Sequence, residues 1–311
     1  MEWLFNIINI PMSWVLNFLC SILGNSFAAA VAVFTLFINL AMIPLTIRSQ
    51  KSSVGQMRIK PKLDELKKKY GDDKQRYSQE MQKLYQEENI SPSGGCLPMI
   101  IRMLFMLSVY YLVTKPMTYL MGIKDSVIDT VWETLKASNV DYAKITDNLR
   151  ELTIYREVSA NPSISPEIAD KLDLVNFNLF GLDLTETPKF NFDFTKAEWI
   201  WLIPIMSFAA QILTSIISMI MQKKLNPDAP SMAGMMLTMP IISLFIAFSV
   251  PGGVGFYWIC SSLIGGLMQT ALQFFYGPQK MLAAERAKSI VQVYTDENKY
   301  IKNRVEKATE E

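Results

Sequence analysis

Five apolar stretches, at residues 27–47, 97–121, 199–221, 234–250 and 255–276, constrain this chain more than any other feature. About 20 apolar residues in a helix cross the roughly 30 Å hydrocarbon core of a bilayer. The fourth run is short and closes at Pro251-Gly252-Gly253. The expectation is an all-α polytopic membrane protein with five transmembrane helices. Half of the 311 residues are hydrophobic and 19% are charged, against about 25% in an average soluble chain. That excess is concentrated in the runs, as spans require.

Residues 1–26 are also apolar, but Pro11 interrupts them and Asn6, Asn9, Ser13 and Asn17 alternate with Trp3, Phe5, Trp14 and Phe18. This pattern predicts an interfacial amphipathic segment lying on the membrane. A cleaved signal peptide is the rival, disfavoured because Met1-Glu2-Trp3 offers no basic start and no small-residue cleavage site follows.

Cytoplasmic loops carry excess Lys and Arg. Residues 48–96 have a net charge of +4, residues 122–198 a net charge of −6, and the tail 277–311 adds seven basic residues. Residues 48–96, the loop 222–233 with Lys223 and Lys224, and the tail are therefore expected inside, with the N-terminus outside. Within 48–96 the sequence predicts a helical hairpin: Lys62 to Tyr70, a turn at Gly71-Asp72-Asp73, and a second arm to Glu88. Leu63, Leu66, Tyr70, Tyr77, Met81, Leu84 and Tyr85 form one thin apolar stripe. Residues 122–198 form an outer loop domain of about 75 residues, with a helix near 127–137 and an aromatic, Asn- and Asp-rich stretch at 177–194.

The chain has no His, and its cysteines, Cys20, Cys96 and Cys260, lack metal-ligand spacing. No phosphate-cradling loop, nucleophile elbow or zinc motif is present. An enzyme, a metal and a cofactor are not expected, and the net charge of +1 gives no reason to expect recognition of a specific nucleic acid sequence.

What remains is polarity inside the spans, where a charge costs about 2.5–3.5 kcal/mol on the mildest scale and tends to face a cavity or partner. Arg102 lies about 7 Å along the second run from Leu97. It reads as lining a water-filled intramembrane cavity, or as snorkelling to the headgroups. Asn39, about 13 Å deep in the first run, reads equally as an interhelical bridge or a groove lining. Gln211, Ser262 and Gln269 add polar positions that permit a hydrophilic groove, although small polar groups are also ordinary packing glue. Met99, Met103, Met106, Met219 and Met239 offer adaptable apolar surface or simple filling.

Several strings then converge. Pro44-Leu45-Thr46, Gln56-Met57-Arg58-Ile59-Lys60-Pro61, Gly71-Asp72-Asp73, and Ser91 to Pro98 with Gly95, Cys96 and Pro98 resemble the YidC family of membrane protein insertases. So do Met239-Pro240, Pro251-Gly252-Gly253-Val254-Gly255-Phe256-Tyr257-Trp258 and Gln269. The resemblance implies a five-helix core with a groove half-open to cytoplasm and lipid, in a bacterial cell membrane. It implies a hairpin that receives nascent membrane proteins, with the Sec translocase and ribosome as further partners. The basic residues Lys67, Lys68, Lys69, Lys74 and Arg76 are candidate hairpin contacts, and a solvated surface is the plainer reading of each. The chain resembles the shorter Gram-positive form.

One departure bears on mechanism. The family places an arginine five residues before the proline that matches Pro44, where this chain has Asn39, and a glutamine where it has Arg102. The expectation is that Asn39 and Arg102 face one groove and have exchanged roles. Two other functions fit the same spans: an assembly chaperone working only with a translocase, and a small-solute transporter, which would predict repeated spans that the sequence does not show.

Overall fold

The computed structural model describes residues 2–91, 97–138, 142, 145–189, 198–225 and 233–310. It is mostly helical: α1 Glu2–Ile22, α2 Phe27–Ala41, α3 Ile43–Tyr70, α4 Lys74–Glu87, α5 Leu97–Thr114, α6 Pro116–Tyr119, α7 Asp125–Ser138, α8 Arg150–Ala160, α9 Pro166–Leu172, α10 Leu202–Leu225, α11 Ala233–Ala247, α12 Gly252–Tyr276 and α13 Pro278–Glu310. Among the described residues, the exception to an all-α fold is a two-stranded antiparallel hairpin, β1 Asn178–Leu179 and β2 Leu182–Asp183. Two compact units form: Met1–Met42 with Met99–Ile220 and Ala229–Gln269, and Ile43–Pro98 with Met221–Asp228 and Thr270–Glu311.

Among the described residues, Leu97–Thr114 and Trp199–Met221 are long and apolar enough to cross a membrane, and Phe27–Ala41 with Ile43–Tyr70 makes a third if taken as one broken span. The first unit buries polar side chains within an apolar core and exposes large apolar ones. Asn9, Ser13, Thr35, Asn39, Ser108 and Ser207 are buried, whereas Trp14, Phe18, Phe37, Ile205, Leu213, Ile241, Phe245 and Leu267 face outward. Leaving such side chains in water forgoes roughly 1.5–3 kcal/mol each, and eight of them exceed the stability of an ordinary domain, about 5–15 kcal/mol. Lipid is the solvent this surface fits.

Proline explains two boundaries that the sequence placed differently. The first run, expected as one span over 27–47, breaks at Met42, because Pro44 has no N–H and its ring crowds the carbonyl of Leu40. Met42 closes α2 by donating to Ile38 O at 2.9 Å. The second run, expected over 97–121, ends at Thr114, and Lys115-Pro116 starts the separate turn α6. Pro11, expected to interrupt the first segment, lies within continuous α1 on its outward side. Asn6 and Asn9 of α1 turn towards the protein: Ser108 Oγ donates to Asn9 Oδ1, and Tyr119 Oη donates to Asn6 Oδ1 at 2.8 Å.

The Pro251-Gly252-Gly253 turn is bonded to the segment before α10. Gly252 N donates to Glu186 O and Gly253 N to Leu184 O, both at 2.7 Å. A Cβ at Gly253 would lie 3.1 Å from Val113 and 3.3 Å from Phe27, and one at Gly255 only 2.6 Å from Ile203. Glycine is needed there because side chains of α2, α5 and α10 press against the α12 backbone.

Residues 122–189 pack into the first unit with the apolar helices. Ile128, Val131, Trp132, Leu135, Ile154, Val158 and Ile168 share its core. Glu151 is buried there, accepting from Thr118 N at 3.0 Å and Thr118 Oγ1 at 2.8 Å. Burial pushes its carboxyl above the ordinary carboxylate value, while the Thr118 bonds and Lys115 pull it down. A raised pKa stabilises the fold most below the unfolded value, and that contribution is lost as pH rises through the folded value. Glu151→Gln, which keeps an acceptor and removes the charge, should therefore flatten the fall in melting temperature between about pH 4.5 and neutrality. Glu151→Leu should cost about 1–3 kcal/mol by orphaning the Thr118 donors. Equal losses in both variants at pH 7 would show that the charge itself stabilises.

In the second unit, α3 and α4 form the expected hairpin, with its first arm reaching back through exposed Pro61 to Ile43. Asp73 caps α4, accepting from Arg76 N at 3.0 Å. At the other end Asn89 adopts φ +52°, and Ile90 N donates to Tyr85 O at 2.9 Å, closing the helix and setting Ile90 against Gly55. Lys62, at 2.5 Å, and Arg58, at 3.3 Å, pair with Glu88 and hold its carboxyl below the usual range. Leu84 is the most buried member of the apolar stripe, and α13 lies alongside α3.

Candidate functional site

Thr35 and Asn39 stand one turn apart on α2 and are both buried. Thr35 Oγ1 donates to Val31 O at 2.7 Å, and Asn39 Nδ2 donates to Thr35 O at 2.8 Å. The helix backbone thus absorbs the donors and leaves the Asn39 carbonyl oxygen turned to the neighbouring helices. Opposite it, Arg102 comes from α5, and Tyr257, Ser261 and Gly265 from one ridge of α12. A Cβ at Gly265 would lie 3.2 Å from Asn39 Oδ1 and 3.8 Å from Arg102 Nη1. Asn39 and Arg102 therefore face one cleft, together with Phe34, Thr35, Ile38, Met42, Phe105, Tyr257 and Ser261.

Among the described residues no carboxylate forms an ion pair with Arg102. The cleft thus holds a half-buried positive charge without an anionic partner, an arrangement that attracts an anion and is weakly screened. Its free volume is about 10 Å³, enough for about one water. A cleft of this size does not admit a polypeptide. The chain has no His, and no metal-ligand cluster accompanies the charge among the described residues.

The other groove candidates sit elsewhere. Gln211 bridges two helices: its Nε2 donates to Ser207 Oγ at 3.1 Å, and its Oε1 accepts from Ser243 Oγ of α11 at 2.6 Å. Ser262 is half-buried, but its neighbour Ser261 provides the lining. Gln269 is half-buried one turn beyond Gly265 and is outside the lining set. Of the lining residues, Ser261 is one of the polar positions of the fifth run, Tyr257 belongs to the string that carries the family resemblance, and Phe105 stands out only as a neighbour of Arg102. The four-residue spacing of Tyr257, Ser261, Gly265 and Gln269 marks one helix ridge.

The motif residues mostly fall at breaks and close contacts. Pro98 is the second residue of α5, Pro240 is buried within α11, Pro251 precedes α12, and Trp258 packs half-buried against the core. Gly95 and Cys96 lie outside the described residues. Lys67, Lys68 and Lys69 in the last turn of α3, and Lys74 and Arg76 in the first turn of α4, are all exposed at the hairpin tip. Lys69 and Arg76 lie over the Tyr70 ring at 5.1 and 5.2 Å. Basic residues oppose the dipole at the start of α4, so the tip's charge is not there to stabilise that helix.

Residues 18–277 match the family model described as 60Kd inner membrane protein. A protein of Haemophilus ducreyi named Membrane protein insertase YidC is 44% identical over 102 residues, which are 32% of this chain and 19% of that protein. Proteins of the same name are 27% identical in Rickettsia felis, over 87% of this chain and 39% of theirs, and in Dechloromonas aromatica, over 84% and 35%. The chain thus spans about two fifths or less of the length of these relatives.

Proposed function

Because the chain belongs to the 60Kd inner membrane protein family, we propose that it inserts other membrane proteins into the bacterial cell membrane, admitting a short hydrophilic client tail through the Arg102 cleft without nucleotide. The supporting observation is the meeting of Arg102 and Asn39 at Gly265 with no carboxylate to neutralise the guanidinium among the described residues. The physical obstacle is hydrocarbon about 30 Å thick that offers a polar tail no hydrogen-bond partners. A cleft that opens by separation of α2, α5 and α12 shortens that path, and its positive charge draws an acidic tail inward. The client's apolar segment then leaves into lipid, where burial contributes about 0.8 kcal/mol per methylene and drives the step. Five spans, with the N-terminus outside and the α3–α4 hairpin inside, complete this reading.

The exposed basic tip of the hairpin is the face offered to the arriving acidic segment. Replacing Lys67, Lys68 and Lys69 together by Glu should slow insertion several-fold, most strongly at low salt, because exposed charges are screened within about 10 Å at 0.1 M. An unchanged rate at low salt would assign those lysines to plain solvation.

The proposal is tested with the full chain in nucleotide-free liposomes and a single-span client carrying an acidic N-terminal tail. Protease protection of the tail inside the vesicles is the expected result. No protection above empty liposomes would leave an assembly role that needs a translocase.

A further inference from the structure

The tip of the β1–β2 hairpin is Phe180-Gly181, and both residues have positive φ, +50° and +87°. A tight turn of this kind is made most readily by Asn-Gly or Asp-Gly, and a bulky aromatic there is strained. Asn178 Oδ1 holds the turn by accepting from Gly181 N at 2.8 Å. The Phe180 ring is 99% exposed. Beside it is an apolar cavity of about 600 Å³. Among the described residues, Leu179, Leu182, Trp199, Met206, Phe256 and Ile259 line it, and no charged side chain does.

Trp199 is 85% exposed and opens the apolar run Trp199–Met221, at the opposite end from Lys223 and Lys224. That is where interfacial aromatics sit on a membrane span. The cavity wall also continues along α10 into the outward-facing Ile205, Met206 and Leu213, the surface already shown to fit lipid. A helix about 10 Å across would fill the cavity with less than two turns, so a single extended hydrocarbon chain suits it better than a client helix.

We propose that this cavity holds an acyl chain of a phospholipid from the leaflet at the Trp199 end of α10, with Phe180 and Trp199 immersed at the headgroup boundary. The hairpin is then a membrane anchor that fixes residues 178–183 on the bilayer surface. This site is separate from the Arg102 cleft and does not rest on the insertion mechanism.

The test uses the full chain in liposomes containing a phosphatidylcholine with a diazirine in one acyl chain, followed by mapping of labelled residues. Phe180, Phe256 and Ile259 should label as densely as Leu213, the outward-facing control on α10. Met206→Trp, which fills the cavity, should lower labelling of Phe256 and Ile259 several-fold and leave Leu213 unchanged. Labelling confined to Leu213 would overturn the proposal. Labelling of Phe256 and Ile259 that Met206→Trp does not reduce would overturn the cavity as the chain's seat.

Discussion

Arg102→Gln is expected to abolish insertion of an acidic-tailed client while leaving the protein folded. At about 6 Å and an effective dielectric of about 20, a pair of unit charges is worth about 3 kcal/mol, or about a hundredfold in rate if it acts at the barrier. The double variant Asn39→Arg with Arg102→Gln should recover most of the activity, because both side chains lie within 4 Å of one point, the missing Cβ of Gly265. Glutamine at 102 also removes a charge that costs about 2.5–3.5 kcal/mol within hydrocarbon, so the single variant should be no less stable than the parent. An active single variant, read by tail protection in liposomes, would refute the assignment of the charge to function. An inactive double variant would show that the two positions are not interchangeable.

Gly253→Leu should have the largest effect on stability. Its Cβ would already lie 3.1–3.3 Å from Val113 and Phe27, and three more carbons have no space. Overpacking a core costs about 1–3 kcal/mol, and strain that displaces the Gly253 N–H from Leu184 O at 2.7 Å adds the loss of a backbone bond, about 1 kcal/mol. The melting temperature in detergent should fall accordingly. Val113→Ala, which removes the two methyl groups nearest the new side chain, should restore part of the loss. A melting temperature unchanged by Gly253→Leu would mean that α12 tolerates displacement at this turn.

The sequence made the helices legible where the signal is local. Apolar runs set most of the long helices, Gly71-Asp72-Asp73 set the α3–α4 turn, and Pro251-Gly252-Gly253 set the start of α12. The break at Met42 was legible too, since Pro44 carries it, but continuous hydropathy across 27–47 masked the missing hydrogen bond. The segment between α5 and α10 was hardest to read because its contacts are distant in sequence. Phe27 N donates to Asn176 O at 3.0 Å, Asn176 N to Asn25 O at 2.7 Å, and Phe177 packs 4.7 Å from Phe27. No local pattern encodes such pairs. In the cleft, charge and polarity singled out Arg102 and Asn39, while residue type alone does not separate a groove lining from the bridge that half-buried Gln211 makes to Ser243. Ser261 was legible by residue type, and the helical ridge sets Tyr257 beside it.

The most direct test of the central claim asks whether a client tail passes beside Arg102. A photoreactive benzoylphenylalanine replaces Phe105, one turn from Arg102 on the cleft wall, and a single-span client is stalled midway through insertion. Crosslinks to the acidic tail of the client are expected, lost when Arg102 is changed to Gln and restored when Asn39→Arg is added. Efficient insertion with crosslinks to lipid alone would contradict it.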